Sequence, residues 1–228
     1  MVGNNKEKDF SLENYEGFYE HHFFEPINEK HAFDIHEFIP RFGWAFDQVE
    51  ELAPKTLLDL GCLDGSFGLT VAKHLNVNVT GVDLTVDGVE IATERADRNN
   101  LPAKFYQGTI EDFLVQLAKE GKKFDIVTLF EVIEHVKDVK QVLKLIDGVL
   151  APGGSVLVST PDFEGPTYGL DDEQNKCHIR LYTIADEDYS RENKYGHVRK
   201  ATSMSKEVGK DRIQEMVIHN QLINVRYE

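Results

Sequence analysis

Four acids, two histidines and a glycine-rich turn carry the chemical potential of this 228-residue chain. Glu131, Glu134 and His135 fall within Phe130-Glu-Val-Ile-Glu-His135, and a helical turn there would put all three on one face. Two carboxylates and an imidazole can hold Mg²⁺ or a similar ion, which would bind a hydroxyl and acidify it. The same letters also suit a metal-free site with His135 as general base and Glu131 beside it. A packing or helix-cap role is the plain alternative. His178, from a later stretch, could complete either site or be a surface histidine.

Upstream, Leu57-Leu-Asp-Leu-Gly-Cys-Leu-Asp-Gly-Ser-Phe-Gly68 runs from an apolar segment into a turn and on into apolar residues at helical spacing. Gly61 and Gly65 permit positive φ and close approach of a ligand, and a helix start offers unpaired N–H groups. Asp83 ends the next apolar run, 22 residues after Gly61. That distance suits a carboxylate accepting hydrogen bonds from ribose hydroxyls.

These residues need elements to hold them. Strands are expected from Leu57, over 78–84, 103–107, 123–130 and 155–159, alternating with helices over 86–99, 113–118 and 136–150. Nearly continuous apolar strands alternating with helical stripes mean a largely parallel sheet covered by helices on both faces. Before them, Tyr15, Phe18, Tyr19 and His22 share a helical face, and helical spacing returns over 33–39 and 42–52. Residues 1–54 are thus a helical segment, lid or scaffold, ahead of one domain over 55–228. Periodicity fails after Pro161, so a long loop or insertion is expected over about 162–210. Arg212 to His219 has a helical pattern, and Leu222 to Tyr227 a strand pattern.

The formal charge of -15 disfavours broad contacts with a nucleic-acid backbone. Cys62 and Cys177 make neither a disulfide framework nor a zinc cluster. No apolar run suggests a membrane span and no signal peptide is evident, so a soluble cytoplasmic protein is expected. Its oligomeric state stays open, with a homodimer as one option.

Several of these stretches, in order, resemble the class I S-adenosylmethionine-dependent methyltransferases, nearest the ubiquinone-biosynthesis O-methyltransferases. Leu58 to Gly68 resembles the family's glycine loop, and Val82-Asp83 its ribose-binding acid. Gly108-Thr-Ile-Glu-Asp112 is similar to its adenine-side loop, Phe130 to His135 to its motif after strand four, and Leu150-Ala-Pro-Gly-Gly154 to its turn before strand five. The resemblance implies a Rossmann-like methyltransferase fold, with a mostly parallel sheet of six or seven strands. It implies S-adenosyl-L-methionine as cofactor, held by Asp59, Gly61, Gly65, Asp83, Leu84, Thr109, Ile110 and Phe130. Asp59 would orient loop amides or the cofactor ammonium. Two residues depart from the pattern. Leu63 replaces the middle glycine of the loop, and Thr109 stands where an acid often meets the adenine amine.

The implied activity is O-methylation of a small-molecule or glycan hydroxyl, with Mg²⁺ at Glu131, Glu134 and His135 as an option. Arg180 and Tyr182 could position the acceptor. RNA 2'-O-methylation is a second reading, favoured by the Glu-x-x-Glu-His letters and opposed by the charge. A non-catalytic binding or regulatory module is a third, resting on Leu63 and Thr109. A nicotinamide dehydrogenase would also use Asp83, but the Glu131-Val-Ile-Glu134-His135 segment favours methyl transfer.

Overall fold

The computed structural model describes residues 31–37, 39–160, 191–193, 196–200, 217–219 and 223–226. The expected helix around Tyr15, Phe18, Tyr19 and His22, and His178, Arg180 and Tyr182, lie outside the described residues; of the expected loop or insertion over about 162–210, only 191–193 and 196–200 are described, and both are strand.

Five parallel strands form the frame: β1 (Thr56–Leu60), β2 (Asn78–Asp83), β3 (Ala103–Gln107), β4 (Phe124–Phe130) and β5 (Leu150–Ser159). Their spatial order is β3-β2-β1-β4-β5. The last strand in the chain, β9 (Ile223–Arg226), adds antiparallel to β5 and makes the sheet six-stranded. Between them β6 (Arg191–Asn193), β7 (Gly196–Lys200) and β8 (Val217–His219) form a separate antiparallel sheet. The mostly parallel six-stranded sheet is the expected one. The helical pattern over 212–219 is corrected at its end, because Val217–His219 is strand.

Alternate strand residues serve opposite faces. Leu58, Leu60, Val127, Leu129 and Val156 pack under α4 (Ile110–Lys119) and α5 (Val139–Val149). Leu57, Ile126 and Leu157 pack under α1 (Pro40–Leu52) and α2 (Ser66–Leu75). Burial on both sides is why β1 and β4 are apolar almost throughout. Asp59 and Thr128 point to the α1–α2 face by the same alternation.

Helix boundaries follow local capping. α4 begins at Ile110 rather than Phe113, because Thr109 caps it by accepting from the Asp112 N–H. α5 begins at Val139 rather than Val136, capped by Asp138 through the Gln141 N–H. A short 3₁₀ turn, Ile133–His135, precedes it. Pro152 to Gly154 lie inside β5 as an irregularity, where the register steps from Phe124↔Leu150 to Ile126↔Ser155. α3 (Val86–Arg98) joins β2 to β3. From β1 the chain winds outward to β3, then returns to the other side of β1 as β4. That reversal opens a crevice at the carboxyl ends of β1 and β4, the place where such sheets take ligands.

Candidate active site

On the β1–β2 side, carboxylates organise the glycine loop. The Leu63 N–H donates to Asp83 Oδ2 at 2.8 Å, and Ser66 donates through N–H and hydroxyl to Asp64 Oδ1 at 3.2 and 2.6 Å. Asp59 accepts from the Gly68 N–H and, at 2.6 Å, from the Thr128 hydroxyl. Gly61 and Cys62 donate to the Val82 carbonyl, and Gly65 to that of Cys62. Arg95 of α3 reaches over to Asp64 Oδ2 at 2.8 Å, in a pair with both side chains buried. Six loop and first-turn amides, those of Gly61, Cys62, Leu63, Gly65, Ser66 and Gly68, are therefore already committed inside the protein.

Gly61 and Gly65 take positive φ, +74° and +71°. Their missing side chains serve internal packing. A Cβ on Gly61 would overlap a Val132 methyl, and one on Gly65 would lie 2.8 Å from Ala92 and Phe105. Leu63 holds the left-handed region at φ +49° without being glycine, and this conformation aims its N–H at Asp83. Asp83 also accepts from the Thr85 N–H and hydroxyl at 2.9 and 2.8 Å. Burial pushes Asp59 up to about 6, with the nearby Asp83 adding to it and Thr128 and Gly68 opposing. Burial also raises Asp83, against its bonds to Thr85 and Leu63.

The other expected cofactor residues line the same rim or its support. The Leu84 carbonyl accepts from Gln107. The Thr109 hydroxyl is occupied with Asp112, accepting its N–H and donating to Oδ2. Ile110 packs on the core. Phe130 is buried, meeting Phe67 at 5.0 Å and Phe42 at 5.5 Å, edge to face. Beside these, Gly108 opens onto space with no heavy atom within 4 Å of a Cβ.

On the β4–β5 side, Glu131 sits at φ +58°, immediately past β4. Its N–H donates to the Ser159 carbonyl at 3.0 Å, and the Ser159 hydroxyl donates to Glu131 Oε1 at 2.6 Å. Glu134 is 1 % exposed. Its Oε2 accepts from the Thr160 hydroxyl at 3.1 Å, while Oε1 is buried without a partner. Arg41 comes from the first turn of α1, its guanidinium 4.8 Å from the centre of the Phe42 ring and its Nε buried without a partner. Burial raises the pKa of both glutamates. The Glu131 charge pushes Glu134 further, and Arg41 pulls both down.

Glu131 and Glu134 are thus brought into electrostatic contact, as their spacing suggested. The turn is tighter than an α-helix, and Glu131 stands outside it. His135 lies on that turn, its N–H bonded to the Val132 carbonyl. Among the described residues, no three His, Cys, Asp or Glu side chains form a group able to hold a metal. Sequence reasoning missed Arg41, Thr128, Ser159 and Thr160, which join the site only through the sheet register and the packing of α1. Arg95 was missed too, although a basic residue on α3 facing an acidic loop is a usable signal.

A parallel sheet reversed at β1, with an acid-lined loop at the reversal, defines the Rossmann-like methyltransferase fold. A protein from Nostoc punctiforme PCC 73102, solved at 2.15 Å and described provisionally as an O-methyltransferase, shares it with a TM-score of 0.52. That match is 21 % identical and covers 83 % of this chain and 56 % of the other. Residues 53–221 match the family described as methyltransferase domain, and the chain belongs to that family. It is 36 % identical over 121 residues to the ubiquinone biosynthesis O-methyltransferase of Haemophilus ducreyi, covering 53 % of this chain and 51 % of that one. The same enzyme of Actinobacillus pleuropneumoniae serotype 7 is 34 % identical with the same coverage. The chain spans about half the length of these curated relatives. No helix among the described residues is long and apolar enough to cross a membrane.

Proposed function

We propose that this chain transfers the methyl group of S-adenosyl-L-methionine to a hydroxyl of a small molecule or glycan. The glycine loop carries the proposal. Six of its amides are taken by Asp59, Asp64, Asp83 and neighbouring carbonyls, which favours a carboxylate-supported loop over a phosphate cradle. Such a loop suits a cationic nucleoside without phosphates and speaks against a dinucleotide, whose pyrophosphate needs free N–H donors. The donor set fits the cofactor at its other end too. The buried, unpartnered Nε–H of Arg41 is suited to a carboxylate such as the cofactor's amino-acid end carries.

The bound cofactor supplies an electrophilic methyl on a sulfonium. Asp83, at the end of β2, is proposed to receive the ribose hydroxyls by sharing its oxygens with the Leu63 and Thr85 donors. Asp59 holds the loop through Gly68, and the Phe42–Phe67–Phe130 cluster shields the cleft floor from water. Placement of the acceptor oxygen does most of the work. His135, with Glu131 and the later His178, is proposed to take the proton from the acceptor hydroxyl. The described donor set does not fit a metal, since no three ligating side chains converge and Ser159 already holds Glu131. No step is therefore routed through Mg²⁺. The cytoplasm is the proposed location.

Calorimetry with S-adenosylhomocysteine tests the cofactor site, and absence of binding at millimolar ligand overturns it. Methyl-labelled cofactor offered with phenols, glycans and an RNA oligonucleotide then tests the acceptor class. Label on the RNA alone overturns the small-molecule reading. A rate lowered by EDTA would return the metal.

A further inference from the structure

We propose that His36 is a pH-sensitive latch, docking the Ile35–Glu37 turn and α1 onto α2 while neutral and releasing them when its ring gains a second proton. His36 sits on a 3₁₀ turn, Ile35–Glu37, just before α1. Its ring stacks on Phe46 of α1 at 4.3 Å and meets His74 of α2 edge-on at 5.3 Å. His74 Nε2 lies 2.8 Å from Asp34 Oδ1 and 3.0 Å from the Phe33 carbonyl. Both partners only accept, so that nitrogen carries the hydrogen. His36 Nδ1, by contrast, is buried with no partner.

A neutral ring with a bare Nδ1 forgoes one hydrogen bond. A charged ring must bury an N–H with no acceptor, against a second imidazole. The charged and titratable groups around His36 are His74 of α2, Asp34 and Glu37 of its own turn, and Asp47 of α1. Lys73 of α2 joins them through its 3.4 Å pair with Asp34. Burial and His74 hold the His36 pKa below the ordinary histidine value, while Glu37, Asp34 and Asp47 pull the other way. The docked state therefore binds fewer protons than the released one. Docking is complete above about pH 6.5 and is lost as the pH falls below it. The same segment carries Arg41 and Phe42 to the cleft, so acid should also weaken cofactor binding. That consequence alone rests on the proposed function.

Trp44, the only tryptophan, lies on α1 and packs against the core beneath it. Its emission and the amide exchange of residues 33–46 are followed in the full chain from pH 8 to pH 5. The latch predicts an emission shift with its midpoint below about pH 6.5. Exchange across α1 should rise about tenfold while β1 and β4 stay unchanged. His36→Phe keeps the stack on Phe46 without a titrating group and should abolish both changes, and His36→Gln should do the same. No transition in the unmodified chain, or the same transition in both variants, overturns the latch. Calorimetry with S-adenosylhomocysteine at pH 8 judges the cofactor site separately.

Discussion

The β1–β2 half of the cleft and its β4–β5 half both bury carboxylates, but they treat them differently. Asp59, Asp64 and Asp83 each accept two or more hydrogen bonds, and Asp64 also faces Arg95. Across the crevice, Glu134 keeps one buried oxygen unpartnered and Arg41 one buried nitrogen. A satisfied buried network is rigid, while unpartnered buried polar atoms cost free energy until something binds them. The first half is thus internally satisfied among its own groups, and the second keeps two buried polar atoms to which a ligand could bond.

The largest expected effect comes from swapping the two arginines. Arg95→Met removes the arginine partner of the buried Asp64 and should cost about 3–5 kcal/mol of unfolding free energy. Arg41→Met should cost less than about 1 kcal/mol, because the loss also removes an unsatisfied donor and both glutamates can take up a proton. Denaturant titration of the two variants checks this, and equal costs would erase the contrast.

The pH dependence of stability comes next. Asp59 has a folded pKa of about 6 against an ordinary 3.8, so the native state holds an extra proton between those values. Its contribution is fully present below about pH 3.8 and is lost as the pH rises through about 6, a span worth on the order of 2–3 kcal/mol. Subtracting the profile of Asp59→Asn from the wild type isolates this slope from the opposite contribution of His36. A difference that is flat from pH 4 to pH 7 would show that Asp59 is not buried as described. Asp83→Asn should weaken S-adenosylhomocysteine by about 10–100-fold, the value of one or two hydrogen bonds to a charged group, as read by calorimetry.

The satisfied half was the more legible in the sequence, for a physical reason. Its parts lie within one strand-loop-helix-strand unit, where spacing along the chain nearly equals spacing in space. The other half joins α1, β4 and β5 across long separations. Ser159 reaches Glu131 only because the parallel register pairs it with Phe130, and no local pattern announces that. Helix starts were misplaced wherever polar residues cap, at Thr109 and Asp138, since apolar periodicity begins later than the hydrogen bonds do. The helical pattern over 212–219 ends in strand at Val217–His219, since those three residues alone fit a period of two or of 3.6 equally well. At Gly61 the sequence shows the need for a glycine but not its packing partner, since a Cβ there would meet Val132.

Leu63 yields the smallest effect and the cleanest test of how far the satisfied half is strained. Its left-handed backbone at φ +49° brings its N–H to Asp83, and a side chain makes that conformation costly. Leu63→Ala and Leu63→Gly both delete the contacts of the half-buried side chain, so comparing them cancels packing. What remains is backbone preference at one residue. Leu63→Gly should be the more stable of the two by about 1 kcal/mol, because only glycine holds that φ without strain. Should alanine prove equal or better, the Leu63–Asp83 hydrogen bond is not what holds the loop, and the loop would owe its shape to Asp64 and Arg95 instead.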